Sequence, residues 1–176
     1  MDKTIKTDRL EIKPYRVADR KRMAELLTNS EIRKTFMIPD FKTEEDLLRM
    51  IEKLHQFSLA DNHFERGIYL EDSLIGFVND VEIVKEVIEL GYVIHPAFHN
   101  KGYATEMFQA VTAALLQEEF STVIAGAFAD NMASIRVMQK CGMKKISKEE
   151  DITYQGKKQH CIYYAISNES AGRRRL

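Results

Sequence analysis

Residues 91–106 read Gly-Tyr-Val-Ile-His-Pro-Ala-Phe-His-Asn-Lys-Gly-Tyr-Ala-Thr-Glu. The apolar run ends at Ile94, Pro96 breaks it, His99-Asn100-Lys101 makes a polar turn, and Gly102 opens a long helical pattern. Small residues at Gly102 and Ala104 let the backbone come close to a ligand, and the N–H groups of a first helical turn point at one spot. Such a turn holds a phosphate or pyrophosphate without net positive charge. The same residues also suit an ordinary strand-to-helix turn in which Gly102 eases the helix start. Two other phosphate motifs are excluded. A P-loop needs an earlier Gly and a closing Gly-Lys-Ser/Thr, whereas here Lys101 precedes the Gly; the dinucleotide fingerprint needs three glycines where the turn after the strand has Gly102 alone. Nucleoside triphosphate hydrolysis and hydride transfer recede accordingly.

The elements that must position this turn follow from periodicity. Alternation over 8–15 predicts a strand, with Pro14 near its end, and 17–27 predicts a helix with Val17, Met23, Leu26 and Leu27 as its apolar stripe. A second helix starts at Thr43, where Thr43 and Asp46 form a capping box, and buries Leu47, Met50, Ile51, Leu54 and Phe57. Strands follow at 63–70, 74–83 and 87–94, with links so short that neighbours are antiparallel. A helix over 102–119 presents Ala104, Phe108, Val111 and Leu115, and a continuous apolar strand over 122–128 is expected to be covered on both faces. A helix near 133–141 ends at Gly142, and a last hairpin pairs 143–152 with 159–166 around Gln155-Gly156. The order is β-α-α-β-β-β-α-β-α-β-β. The strand–helix–strand unit over 87–128 is a parallel crossover in an otherwise antiparallel sheet, so the fold class is mixed α/β.

Composition bounds the function. The chain has 176 residues, a one-domain length; 44% hydrophobic and 30% charged residues exclude a disordered chain. Lys plus Arg total 26 against 27 Asp plus Glu, a net charge of −1, so no global field draws in nucleic acid or an anionic membrane. Cys141 and Cys161 have no partner at metal-ligand spacing, and no metal is expected. The absence of a signal peptide or membrane-spanning run makes a reduced, cytoplasmic protein the expectation. Residues 1–168 read as one domain. The basic tail 169–176, with Arg173-Arg174-Arg175, reads as a solvated, disordered end, a binding arm being the alternative.

His99-Asn100-Lys101-Gly102-Tyr103-Ala104 resembles the pyrophosphate signature Gln/Arg-x-x-Gly-x-Gly/Ala of the GNAT superfamily of acetyl-CoA-dependent N-acetyltransferases, departing only at His99. The run from Asn131 to Met143 resembles that family's Asn-x-x-Ser-x-x-Val-x-x-Lys-x-Gly-Phe/Met element. Thr7-Asp8-Arg9-Leu10-Glu11-Ile12-Lys13 is similar to the opening of its ribosomal-protein-alanine branch (RimJ/RimL-like). The resemblance covers about residues 8–166 and implies a GNAT-like acyl-CoA N-acyltransferase fold. It further implies acetyl-CoA as co-substrate: the pantetheine arm lies along Tyr92, Val93 and Ile94, and its pyrophosphate on the N–H groups from Asn100 through Lys101, Gly102, Tyr103 and Ala104 to Thr105. His99 still offers a hydrogen bond there. Asn131 would bind the pantetheine arm, cap the following helix, or both.

Acyl transfer to an amine needs a base for the amine, a donor for the developing oxyanion and an acid for the thiolate. Backbone near Val93 and Ile94 could be the donor. Glu89 is the candidate base, directly or through water; among Ile88, Leu90 and Tyr92 a cleft carboxylate would have a raised pKa, the alternative being a solvent-face strand residue. Many relatives place a Tyr acid at the position of Met138; in the ribosomal-protein branch a Ser serves, and Ser134 matches it, unless it is only a first-turn helix residue. Glu149, Glu150 and Asp151 could meet a cationic acceptor or form an exposed charge run, and one of Tyr163 and Tyr164 would border the cleft while the other packs. His95 reads as structural and Cys141 as a poor nucleophile. Phe36, Met37 and Phe41 fall in the acceptor-specificity region. The expectation is direct acetyl transfer in a ternary complex to a protein N-terminus or a small amine, the alternative being a CoA-binding module without turnover. Oligomeric state is not readable from the sequence, a homodimer being the general prior for soluble oligomers.

Overall fold

The computed structural model describes residues 4–168. The chain is arranged in two compact units, one joining the segment up to Asn79 with Tyr92–Met107, the other joining Asp80–Gly91 with the chain from Phe108 onward. The basic tail lies outside the described residues. No helix among the described residues is long and apolar enough to cross a membrane.

The first unit contains β1 (Ile5–Lys6), β2 (Leu10–Lys13), α1 (Arg20–Thr28), α2 (Glu44–Leu59) and β3 (Glu65–Leu70). It also holds the first part of β4 (Ser73–Val84), the end of β5 (Val87–Ile94) and the start of α3 (Tyr103–Glu118). Its strands are antiparallel, with Ile5 opposite Ile12, Ile12 opposite Ile68 and Ile68 opposite Gly76. Leu10 and Ile12 are buried while Glu11 and Lys13 remain half-buried, the alternation of a strand with one apolar face. The helix expected over 17–27 begins instead with a 3-10 turn, Val17–Asp19, and Val17 is 66% exposed rather than part of the stripe; Met23, Leu26 and Leu27 are buried as expected. The capping box forms: Thr43 Oγ1 accepts the Asp46 N–H at 3.1 Å and Asp46 Oδ2 accepts the Thr43 N–H at 3.0 Å. Phe36 and Phe41 pack against this unit's core, with Phe36 edge-on to Phe77, whereas Met37 is exposed.

The second unit contains the rest of β4, β5 and α3, together with β6 (Thr122–Phe128), α4 (Met132–Lys140), β7 (Lys144–Tyr154) and β8 (Lys157–Ser167). β5 and β6 are parallel with α3 as crossover, and the order continues β6-β8-β7 with antiparallel pairs. β6 is not covered throughout on both faces: buried positions alternate with half-buried ones, and Gly126 is exposed. The last hairpin is longer than its sequence pattern suggests, running to Tyr154 and resuming at Lys157 across Gln155-Gly156, both at positive φ. With these adjustments and the short β1 added, the mixed α/β order is the expected one.

Candidate active site

The turn before α3 is built by local hydrogen bonds. His95 Nδ1 accepts the Ala97 N–H at 3.2 Å, and the His99 N–H closes onto the Pro96 carbonyl at 3.1 Å, giving a 3-10 turn with Pro96 at its start. His95 is therefore structural, and burial lowers its pKa, helped by the charge of Arg22. His99 Nε2 lies 2.7 Å from the Ile94 carbonyl. A carbonyl only accepts, so Nε2 carries the proton and the side chain ties the turn back to β5. Asn100 at φ +60° and Gly102 at φ +83° then curl the backbone, and the first bond into the helix runs from the Glu106 N–H to the Gly102 carbonyl at 3.0 Å. The N–H groups ahead of that bond point out of the helix end. Gly102 is needed for its left-handed φ, and a Cβ there would also lie 3.3 Å from Arg9 Nη2. Backbone curled in this way can present N–H groups to an anion, while the Lys101 ammonium folds back toward the Ala97 carbonyl.

The strand leading into the turn is held as firmly. Val93 and Ile94 are buried, the His95 N–H donates to the Ile75 carbonyl at 2.8 Å, and Gly76 permits an approach in which a Cβ would sit 2.0 Å from the Val93 oxygen. The parallel ladder covers Val87↔Thr122 to Leu90↔Ala125, whereas β5 continues to Ile94. On the other side of the turn, Arg9 and Thr7 grip Glu106. Sequence spacing has no rule for partners this far apart, although Thr7-Asp8-Arg9 and Thr105-Glu106 both stand out as motifs.

Glu89 lies in β5 opposite Ile124, with its side chain 12% exposed. It does not sit in purely apolar company. Lys148 Nζ donates to Glu89 Oε2 at 2.8 Å and lies 4.1 Å from the centroid of the Tyr163 ring, while the Tyr163 hydroxyl donates to Glu150. The expected apolar setting is overturned by a bulge. Lys145 pairs with Tyr164 and Glu149 with Ile162, so four steps along β7 match two along β8. The extra residues bring Lys148 to Glu89, and alternation in the sequence does not reveal them. Burial pushes the Lys148 pKa down, but the hydrogen bond and charge of Glu89, with Glu150 and Glu82, carry it above the ordinary lysine value. Burial and then the bond to Glu150 raise the Tyr163 pKa, so its hydroxyl stays a donor. Tyr163 and Tyr164 are both buried, each 6% exposed. Glu149 and Asp151 are spent on exposed pairs with Lys145, Lys158 and His160.

Asn131 caps α4, its Oδ1 accepting the Ser134 N–H at 3.2 Å, and Ser134 is half-buried in the first helical turn. Met138 is fully buried, and burial raises the Cys141 thiol to about 11, which leaves it inert as a nucleophile. Among the described residues no group of His, Cys, Asp or Glu is placed to hold a metal ion.

The element order, with its parallel crossover from β5 to β6, belongs to a class of protein that sequence comparison identifies. The model of the acetyltransferase (GNAT) domain matches residues 9–144, and the chain belongs to that family. It is 33% identical over 146 residues to the uncharacterized N-acetyltransferase YnaD of Bacillus subtilis (strain 168), covering 80% of this chain and 82% of that one. The crystal structure of a GNAT-family acetyltransferase from Bacillus anthracis superposes with a TM-score of 0.78 at 28% identity, over 93% of this chain and 98% of the other. RimL, a ribosomal L7/L12 alpha-N-protein acetyltransferase in complex with coenzyme A, gives a TM-score of 0.79 over 95% of this chain and 99% of the other. Its 13% identity is a likeness of fold alone.

Proposed function

We propose that the protein transfers an acetyl group from acetyl-CoA to a primary amine by direct attack in a ternary complex. The observation that carries this reading is the turn at 99–105, whose backbone is curled by Asn100 and Gly102 and opens a helix without a covering side chain at 102. A pyrophosphate fits such a surface because oriented N–H dipoles supply the positive potential that a chain of net charge −1 otherwise lacks. In this assignment the pyrophosphate rests on amides from Asn100 to Thr105, and the pantetheine amides pair with backbone of Tyr92, Val93 and Ile94, where β5 outruns its parallel ladder. His99 serves by fixing the turn rather than by reaching the ligand. Asn131 keeps its amide nitrogen as a donor for the pantetheine arm while its oxygen caps α4.

For the chemistry, Glu89 is the base, directly or through a water, and Ser134 protonates the departing thiolate. The ammonium of Lys148 now on Glu89 must give way for the carboxylate to take a proton from the attacking amine. The acceptor is a protein N-terminus or a small amine; the opening Thr7–Lys13 run supports the ribosomal-protein branch. The Lys148–Glu89 pair also favours a second reading, a CoA-binding module whose base is permanently occupied. Incubation with acetyl-CoA and a panel of amines and N-terminal peptides, followed by free-thiol release, decides between them. Thiol release with at least one acceptor supports transfer. Thermal stabilisation by CoA with no thiol release selects the binding module, and absence of stabilisation removes both.

A further inference from the structure

The opening motif is joined to the phosphate turn by a clamp. Arg9 Nε and Nη2 contact Glu106 Oε2 at 2.7 and 2.6 Å, and Arg9 Nη1 donates to the Lys101 carbonyl at 3.0 Å. The Arg9 backbone N–H and the Thr7 hydroxyl both donate to Glu106 Oε1, at 3.0 and 2.6 Å. The guanidinium also stacks 4.5 Å from the centroid of Tyr103, the first residue of α3.

Two consequences follow from elementary chemistry. The Lys101–Gly102 peptide is trans, so its carbonyl and N–H point in opposite directions. Anchoring the carbonyl on Arg9 therefore aims the Gly102 N–H away from Arg9, and this peptide lies between the two residues of positive φ that shape the turn. The second consequence concerns charge. Glu106 sits in the first turn of α3, and a bare carboxylate there would oppose an incoming anion through the same field that attracts it. With both oxygens engaged by Arg9 and Thr7, Glu106 becomes half of a neutral ion pair.

The geometry points to Arg9 as a positioning residue for the pyrophosphate-bearing donor, acting through the Lys101–Gly102 peptide and through neutralisation of Glu106. This inference rests on the acetyl-CoA reading above. It gives the Thr7-Asp8-Arg9 motif a task at the donor site, and Gly102 a second reason to lack a side chain, since a Cβ would crowd the guanidinium.

The test compares two donors. Acetyl-CoA carries the pyrophosphate; S-acetylpantetheine carries the thioester and arm without it. Arg9→Ala should raise KM for acetyl-CoA about ten-fold or more with kcat within about two-fold, and leave kcat/KM for S-acetylpantetheine near that of the parent chain. Arg9→Ala/Glu106→Gln should recover part of the lost affinity, because the unpaired charge is gone; binding of CoA followed by calorimetry reads the same order. Should Arg9→Ala fold poorly by circular dichroism, Arg9→Lys retains a cation for Glu106 but not the fork to Lys101, and should show an intermediate KM. Equal losses with both donors would make Arg9 a fold-stabilising residue only and overturn the inference, as would an unchanged KM for acetyl-CoA or a double variant weaker than Arg9→Ala. If the parent chain itself binds no CoA, the donor reading fails first, an outcome distinct from a parent chain that binds CoA and variants that bind it equally well.

Discussion

At the turn before α3, the proposed donor site, the backbone amides are oriented by φ angles at Asn100 and Gly102 and by the His99 and Arg9 anchors. Around Glu89 charge is met by side chains, with an ammonium from Lys148 on the carboxylate and a phenol from Tyr163 on Glu150. Backbone dipoles do not titrate and cannot leave, so the donors of the first region are themselves insensitive to pH. Side-chain ions exchange partners and protons, so the second region has the latitude that proton transfer needs and a binding site does not. On the proposed reading, recognition of the donor and handling of the acceptor would fall to different kinds of chemistry within one chain.

Substitutions can break this contrast. The largest effect is expected from Gly102→Val. A β-branched residue at φ +83° carries strain of about 1–3 kcal/mol, and its side chain would meet Arg9 and cover the donor amides; CoA binding by calorimetry should become undetectable. Retained binding would show that the turn is not the donor site. Next comes Glu89→Gln, which should lower kcat about 100-fold while the CoA dissociation constant stays within about two-fold. A parallel loss of CoA binding would make Glu89 structural and erase the division of labour. Lys148→Met removes the cation resting on Glu89; KM for a cationic acceptor should fall several-fold with donor KM unchanged, and a rise would mean that Lys148 instead helps to hold the acceptor.

The smallest effect is in stability. Burial pushes the Glu106 pKa up, but hydrogen bonds from Thr7, the Arg9 side chain and the Arg9 backbone outweigh it and hold the carboxyl below its ordinary value. A depressed folded pKa stabilises the native state above the unfolded value of about 4.3 and ceases to do so as pH falls through the lower folded value. The melting temperature of the parent chain should therefore exceed that of Glu106→Gln by a few degrees at pH 7, about 2–8 °C. The gap should close below about pH 4. A gap that persists in acid would assign the effect to packing rather than to the ion pair.

Much of this was legible in the residues, and the exceptions share a cause. The Thr43 capping box, the Asn131 cap and the Gly102 turn each involve atoms only a few residues apart, where spacing dictates geometry. Val17 matches an apolar period yet is exposed, because the chain enters α1 through a 3-10 turn whose phase differs from a helix. The Glu89–Lys148 pair joins residues 59 apart in the chain through a bulge, and the Arg9–Glu106 clamp joins residues 97 apart. Neither bulge position nor side-chain meeting is encoded in a local period.

By itself, the sequence determined the element order and the left-handed turn that opens α3, because strand and helix periods, caps and left-handed glycines act over a few residues. Tertiary structure alone decided what surrounds the charged groups: that His99 turns inward to β5, that Glu106 is neutralised by Arg9, and that Glu89 carries Lys148 rather than standing among apolar side chains. An ionisable group's behaviour depends on which charges and donors lie within a few ångströms, and that neighbourhood is assembled by strand register and chain return rather than by adjacency along the chain.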